Sequence, residues 1–214
     1  MADKPARRSA VATGRGDDGT TGLLFGGNRV PKDDPRTEAF GAVDEAIAAL
    51  GLARAELSLM AQVGTVPRVL DRLPDLILRL QRELFVAGAD LATAPGAAGR
   101  QKPGETRVTA DMVGGLDAVL AETEPAVELP REFVVPGETR LSALLELART
   151  IVRRAERRAV ALRRVDPIPD DRVVPYLNRL ADLLWILARA AEQGEARTAT
   201  PSRTPRRNRG LTGT

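Results

Sequence analysis

The sequence predicts an all-α protein, a bundle of five amphipathic helices. Three observations carry this. Apolar residues recur at spacings of three, four and seven in five long stretches. Residues that start or stop helices stand at the ends of those stretches. No stretch alternates apolar and polar residues with the β-branched content of a strand.

Residues 1–12 read as a flexible tail, and residues 13–32 as a loop dense in Gly, Thr, Asp and basic side chains. Asp34 and Pro35 then mark a helix start, because Asp caps free amides and Pro fits the first turn. Phe40, Val43, Ile47, Leu50 and Leu57 give this first helix an apolar stripe to about Met60. A second helix is expected from about Pro67 to Leu91, with Leu73, Leu76, Leu80, Leu84 and Ala87 on one face. A Gly/Pro-rich loop over 93–107 leads to Thr109, the expected cap of a third helix reaching about Thr123. Gly114 and Gly115 each weaken that helix by about 1 kcal/mol.

After a loop over 124–138, the strongest helix runs from about Thr139 to Arg164, with Leu141, Leu144, Leu145, Ala148, Ile151, Val152 and Ala155 on its apolar face. Asp166-Pro167 ends it and Pro169 opposes resumption. The fifth helix is expected from about Asp171 to Glu192, striped by Leu177, Leu180, Leu184, Leu187 and Ala191, with Gly194 as its stop. There is no internal repeat. The helical domain thus spans 13–193, and 194–214 reads as a disordered basic tail.

Composition narrows the chemistry. The chain has 214 residues, no Cys and no His. Disulfides, thiolate nucleophiles, imidazole bases and His- or Cys-based metal sites are excluded. Aromatics make up 3% of residues, too few for a base-stacking nucleic-acid platform. The formal net charge of +3 comes from basic tails around a mildly acidic body, so no nucleic-acid partner is expected. No apolar run approaches the length of a membrane span and none at the N-terminus has signal-peptide character, so a cytoplasmic protein is expected.

Three regions combine residues that could carry chemistry. The loop TGRGDDGTTGLLFGGNRVPK at 13–32 offers Gly backbone, hydroxyls and cations, the ingredients of an anion cradle, although such loops are often only turns. Arg149, Arg153 and Arg157 follow at i, i+4 and i+8 on the fourth helix, with Arg154, Glu156 and Arg158 beside them. Such a row can clamp a polyphosphate or be a solvated face, with Asp44 and Glu45 as candidate partners on the first helix. Phe133, held in FVVPG, can cap a flat apolar ligand or plug the bundle end; Tyr176, Asn178 and Trp185 have equivalent core readings.

Six stretches together resemble the PduO-type ATP:cob(I)alamin adenosyltransferases: TGRGDDGTT at 13–21, RVPKDDPRTEAFG at 29–41 running into VDE at 43–45, LQRELFVAGADLAT at 80–93, FVVPG at 133–137, ARTIVRRAERR at 148–158 and YLNRLADLL at 176–184. They stand in family order. The resemblance implies a homotrimer with active sites between subunits. It implies transfer of the 5′-deoxyadenosyl group of ATP to cob(I)alamin, with inorganic triphosphate leaving and Mg²⁺ accompanying ATP; no protein metal site is expected. By motif position, Thr13, Gly14, Arg15, Gly16, Thr20, Thr21 and Lys32 would face ATP from the loop. Arg153, Arg154, Arg157 and Asn178 would do so from the bundle, supported by Glu156. Asp44 would pair with Arg149 across the subunit interface. Phe133 would lie against the lower corrin face, with Trp185 where Phe is usual. Arg153, Phe133, Asp44 and Arg149 are the expected catalytic set. A flavin-type reductase and an acceptor corrinoid enzyme are the partners this implies. Gly14 stands where the family usually has Lys or Arg, Glu138 where it has Gly, and Glu146 where His is common. These departures motivate an alternative, a relative that binds ATP or corrinoid without efficient turnover.

Overall fold

The computed structural model describes residues 11–167 and 171–203. Most of the expected N-terminal tail, Pro169 and the last part of the expected C-terminal tail lie outside the described residues. Five helices form the body: α1 (Pro35–Gln62), α2 (Leu73–Ala92), α3 (Ala110–Thr123), α4 (Arg140–Val165) and α5 (Val173–Gly194). Two short antiparallel ribbons accompany them. β1 (Thr20–Thr21) pairs with β2 (Val30–Pro31), and β3 (Val134–Val135) pairs with β4 (Thr200–Pro201).

Side-chain caps start three of the helices, two of them, Asp34 and Thr109, expected from the sequence. The Asp34 carboxylate accepts from the Arg36 amide at 2.8 Å, and the Thr109 hydroxyl accepts from Met112 at 3.2 Å. Thr139 and Ser142 form a reciprocal capping box at the head of α4, each side chain accepting from the other's amide. The start of α2 differs: it lies at Leu73, not Pro67. Pro74 has no N–H, and its ring would collide with the Leu70 carbonyl of a continuing helix. Arg68–Leu70 therefore forms a separate 3₁₀ turn.

α4 packs between α1 and α5, with α2 against α1 and α3 against α5. α1 and α4 run antiparallel, stitched by Arg158–Glu38 at one end (3.4 Å) and Arg140–Glu56 at the other (2.9 Å). The buried face of α1 is largely alanine: Ala39, Ala42, Ala46, Ala49 and Ala53 accompany Val43, Leu50 and Leu57. Phe40 and Ile47, expected on that stripe, are only partly buried. Small side chains let α1 approach two neighbouring helices closely, which large residues would prevent.

The buried Arg36 ties one end of the bundle together. Its guanidinium donates to the Leu91 carbonyl at the end of α2 and to Asp166 after α4. The β1–β2 loop sits at this end. The β3–β4 ribbon sits at the opposite end, ahead of α4. This ribbon corrects the expectation of a disordered tail from residue 194. After α5 the chain turns back through Ala196 (φ 55°), and the Ser202 amide donates to the Phe133 carbonyl at 2.7 Å. The pairing uses backbone groups, so composition carried no trace of it.

Candidate active site

The N-terminal loop is built by its own polar side chains. Asp18 accepts from the Thr20 amide (2.9 Å) and hydroxyl (2.8 Å), and these bonds hold its carboxyl below the usual carboxylate range. The Arg29 guanidinium donates to the Thr20 hydroxyl and to the Arg15 and Thr20 carbonyls at 2.7–2.9 Å. Arg29 is thus a brace of the loop. Lys32 pairs its amide with the Gly19 carbonyl at 2.9 Å, and its ammonium lies over Gly16, where a Cβ would stand 3.0 Å from Nζ. Thr13, Gly14, Arg15, Gly16, Thr20, Thr21 and Lys32 are therefore brought into one local structure, with Thr13, Arg15 and Lys32 exposed.

A groove of about 480 Å³ opens between α4 and α5. Arg153, Glu156, Arg157 and Asn178 line it, joined by Arg164 over a floor of Val160 and Ala161. Arg153 and Arg157 are exposed, and Arg157 is steadied by a 2.9 Å bond to the Arg153 carbonyl. Asn178 donates to Glu156 at 3.3 Å. Arg164, absent from the residues expected here, reaches the same groove from seven residues beyond Arg157, two helical turns on. Arg154 is placed elsewhere: it faces α1 and pairs with Glu45. None of the groove's lining residues comes from the 13–32 loop.

A second groove, of about 390 Å³, lies toward the head of α4 and is lined by Phe133, Trp185, Glu146 and Arg149 among others. Phe133 is 86% exposed, so it does not plug the bundle end. Its backbone is held by the β3–β4 ribbon while its ring faces solvent. Arg149 pairs within the chain with Glu146 at 2.6 Å, and Asp44 is exposed on α1. The expected Asp44–Arg149 pair is thus not formed inside one chain.

A sequence model of the cobalamin adenosyltransferase family matches residues 11–191. The chain belongs to the cobalamin adenosyltransferase family. The corrinoid adenosyltransferase of Bacillus subtilis is 40% identical over 178 residues, covering 83% of this chain and 83% of that one. The corrinoid adenosyltransferase of Mycobacterium tuberculosis is 40% identical over 184 residues, 85% of this chain and 88% of its own. Two solved variants of the PduO-type ATP:corrinoid adenosyltransferase from Lactobacillus reuteri, each complexed with cobalamin and ATP, superpose with TM-scores of 0.75 and 0.77. Their identities are 30% and 29%, and the matches cover 90% and 91% of this chain and 98% and 97% of theirs.

Within this adenosyltransferase fold, the departures noted in the sequence acquire structural meaning. Gly14 has φ +71°, in the left-handed region, and an added Cβ would stand 3.3 Å from the Asp17 carboxylate. The turn needs glycine there. Glu146 is 3% exposed and belongs to a buried ion network with Arg149, Arg189 and Glu192. The sequence holds one signal for the last two: Arg189 and Glu192, spaced i, i+3, are the only charged residues between Leu183 and Glu192, and Arg189 stands four residues beyond Trp185.

Proposed function

We propose that this family member transfers the 5′-deoxyadenosyl group of ATP to cob(I)alamin, forming adenosylcobalamin and inorganic triphosphate. One arrangement supports the reading above all. Arg149, Arg153 and Arg157 lie along one face of α4, the first in the aromatic groove and the other two in the polar groove. Eight residues of helix span about 12 Å, within the reach of a nucleoside triphosphate.

In the proposed reaction the reduced cobalt of the substrate attacks the ribose 5′ carbon and the C–O bond to triphosphate breaks. No general base is required, which fits a chain without His or Cys. Arg153, Arg157 and Lys32 oppose the charge that grows on the leaving triphosphate. Mg²⁺ enters on the triphosphate, consistent with its preference for phosphate oxygens and water. Phe133 and Trp185 offer an apolar wall that excludes a lower axial ligand and makes the cobalt easier to reduce. Within one chain no residue of the 13–32 loop lines the α4–α5 groove, which supports a homotrimer in which a neighbouring copy would bring loop and groove together and Asp44 would reach Arg149 between subunits. Among the described residues no helix is long and apolar enough to cross a membrane; action in the cytoplasm, with a reductase and an acceptor enzyme, completes the proposal.

Purified protein, ATP, Mg²⁺ and chemically reduced cobalamin are combined without oxygen, and the cobalamin spectrum is followed. Conversion to adenosylcobalamin with equimolar triphosphate is expected. Binding of either substrate without product would establish the non-catalytic alternative instead. Light scattering giving the mass of one chain would refute the trimer.

A further inference from the structure

Arg189 is the largest fully buried side chain among the described residues, at 1% exposure. Its Nε and Nη2 each donate to the Glu192 carboxylate at 2.8 Å. Its Nη1 lies 3.2 Å from Glu146 Oε1, an ion pair that lacks hydrogen-bond alignment. The other oxygen of Glu146 accepts from Arg149 Nε at 2.6 Å. The Arg189 guanidinium also stands 5.8 Å from the centre of the Trp185 ring.

Stability alone does not explain this network. Two buried carboxylates and a buried guanidinium lose their hydration, and well-packed apolar side chains of the same size are usually as stable or more so. The charges balance, two arginines against two glutamates, so the network suits a rigid frame. What the frame touches is the aromatic groove: Glu146, Arg149 and Trp185 all line it.

We propose that Arg189 is a positioning residue for the corrinoid side of the site. Gripped at two points by Glu192, it fixes Glu146, which holds Arg149 by Nε and directs its terminal amino groups to the groove. At the same time it backs the Trp185 ring. The network thus sets the wall and the cation of the corrinoid pocket from behind, without touching substrate.

The inference rests on the proposed adenosyl transfer, and its test separates the two. The charge-neutral double variant Arg189→Met with Glu192→Gln keeps the Glu146–Arg149 pair balanced. The single variant Arg189→Lys keeps charge but loses the two-point grip. Each is assayed anaerobically with corrinoid and ATP varied in turn, after a thermal melt establishes folding. Trp185 is the only tryptophan, so its emission reads the groove wall directly. Both variants should lose about 10-fold or more in kcat/KM for corrinoid, with the KM for ATP within about 2-fold, as expected when a supporting residue misplaces a contact. Trp185 emission should shift, and its quenching by added cob(II)alamin should require more corrinoid. Should the double variant not fold, Arg189→Lys decides on the same readouts. Wild-type corrinoid kinetics in a folded variant would overturn the assignment, as would equal losses for both substrates. If the wild-type chain gives no product, the functional reading fails. Arg189 then stands or falls on whether cob(II)alamin quenching of Trp185 weakens in the variants.

Discussion

Replacing Phe133 with Ala separates a core role from a site role. An aromatic side chain presents about 200 Å². With Phe133 86% exposed, about 30 Å² is buried in the free chain, worth about 0.7 kcal/mol at 25 cal/mol/Å². For a domain of this size that is about 2 °C in Tm. Against a flat corrin face the ring can bury about half of its remaining surface, roughly 80 Å², worth about 2 kcal/mol. That corresponds to a loss of about 30-fold in kcat/KM for corrinoid, with the KM for ATP unchanged. Thermal melts and anaerobic initial rates measure both numbers. A loss of stability above about 3 kcal/mol, the range of true core truncations, would show that the ring packs inside the bundle. Unchanged corrinoid kinetics would show that its exposure serves nothing in this reaction.

Three further outcomes follow from the same geometry. Arg157→Lys removes a planar, paired donor from the polar groove and should raise the KM for ATP about 10-fold, while denaturant stability stays within about 0.5 kcal/mol because the side chain is exposed. Gly14→Lys, which restores the usual family residue, should lower rather than raise the rate. The left-handed turn resists a Cβ by about 1 kcal/mol, and a rate increase in the spectral assay would count against this account. Asp90 is buried, and that burial pushes its carboxyl above the usual range despite bonds from the Val108 amide and Gln101. The folded state therefore holds this proton more tightly than the unfolded one. Asp90's contribution is greatest below the ordinary carboxylate range and is lost as pH rises through the folded value. Asp90→Asn should flatten that slope in urea melts taken across the acidic range, and an unchanged slope would refute it.

Much of this fold was written in local signals. Asp34, Thr109 and Thr139 cap the helices that begin beside them, because a cap is made by neighbouring residues. The expected α2 start at Pro67 lies six residues before the true one: the apolar stripe itself begins at Leu73, and Pro74 bars the helix from continuing further back. On α1 the expected Val43, Leu50 and Leu57 are buried, Phe40 and Ile47 only partly, and five alanines complete the face; periodicity scales reward large side chains and underweight close approach. In the site, i, i+4 spacing marks Arg153 and Arg157 but steps over Arg164, which stands seven residues beyond Arg157 and shares their face by the two-turn repeat. Arg154 shared the run but not the face. Arg189 and Glu192 were hard to see because their meaning depends on Glu146, distant in sequence and adjacent only after folding. The β3–β4 ribbon was invisible for the same reason: its two partners are far apart, and its bonds are backbone bonds.

That ribbon also offers an experimental handle. The Ser202 amide is bonded to the Phe133 carbonyl, and the chain contains no native thiol. A cysteine placed at residue 202 would be the sole site for maleimide chemistry. A dye attached there would ride beside the aromatic wall at one end of the bundle. A second dye on residue 12, introduced in a separate preparation, would ride beside the β1–β2 loop at the other. Arrival of a strongly absorbing corrinoid and arrival of nucleotide could then be timed independently, and the order of substrate binding read from two optical signals.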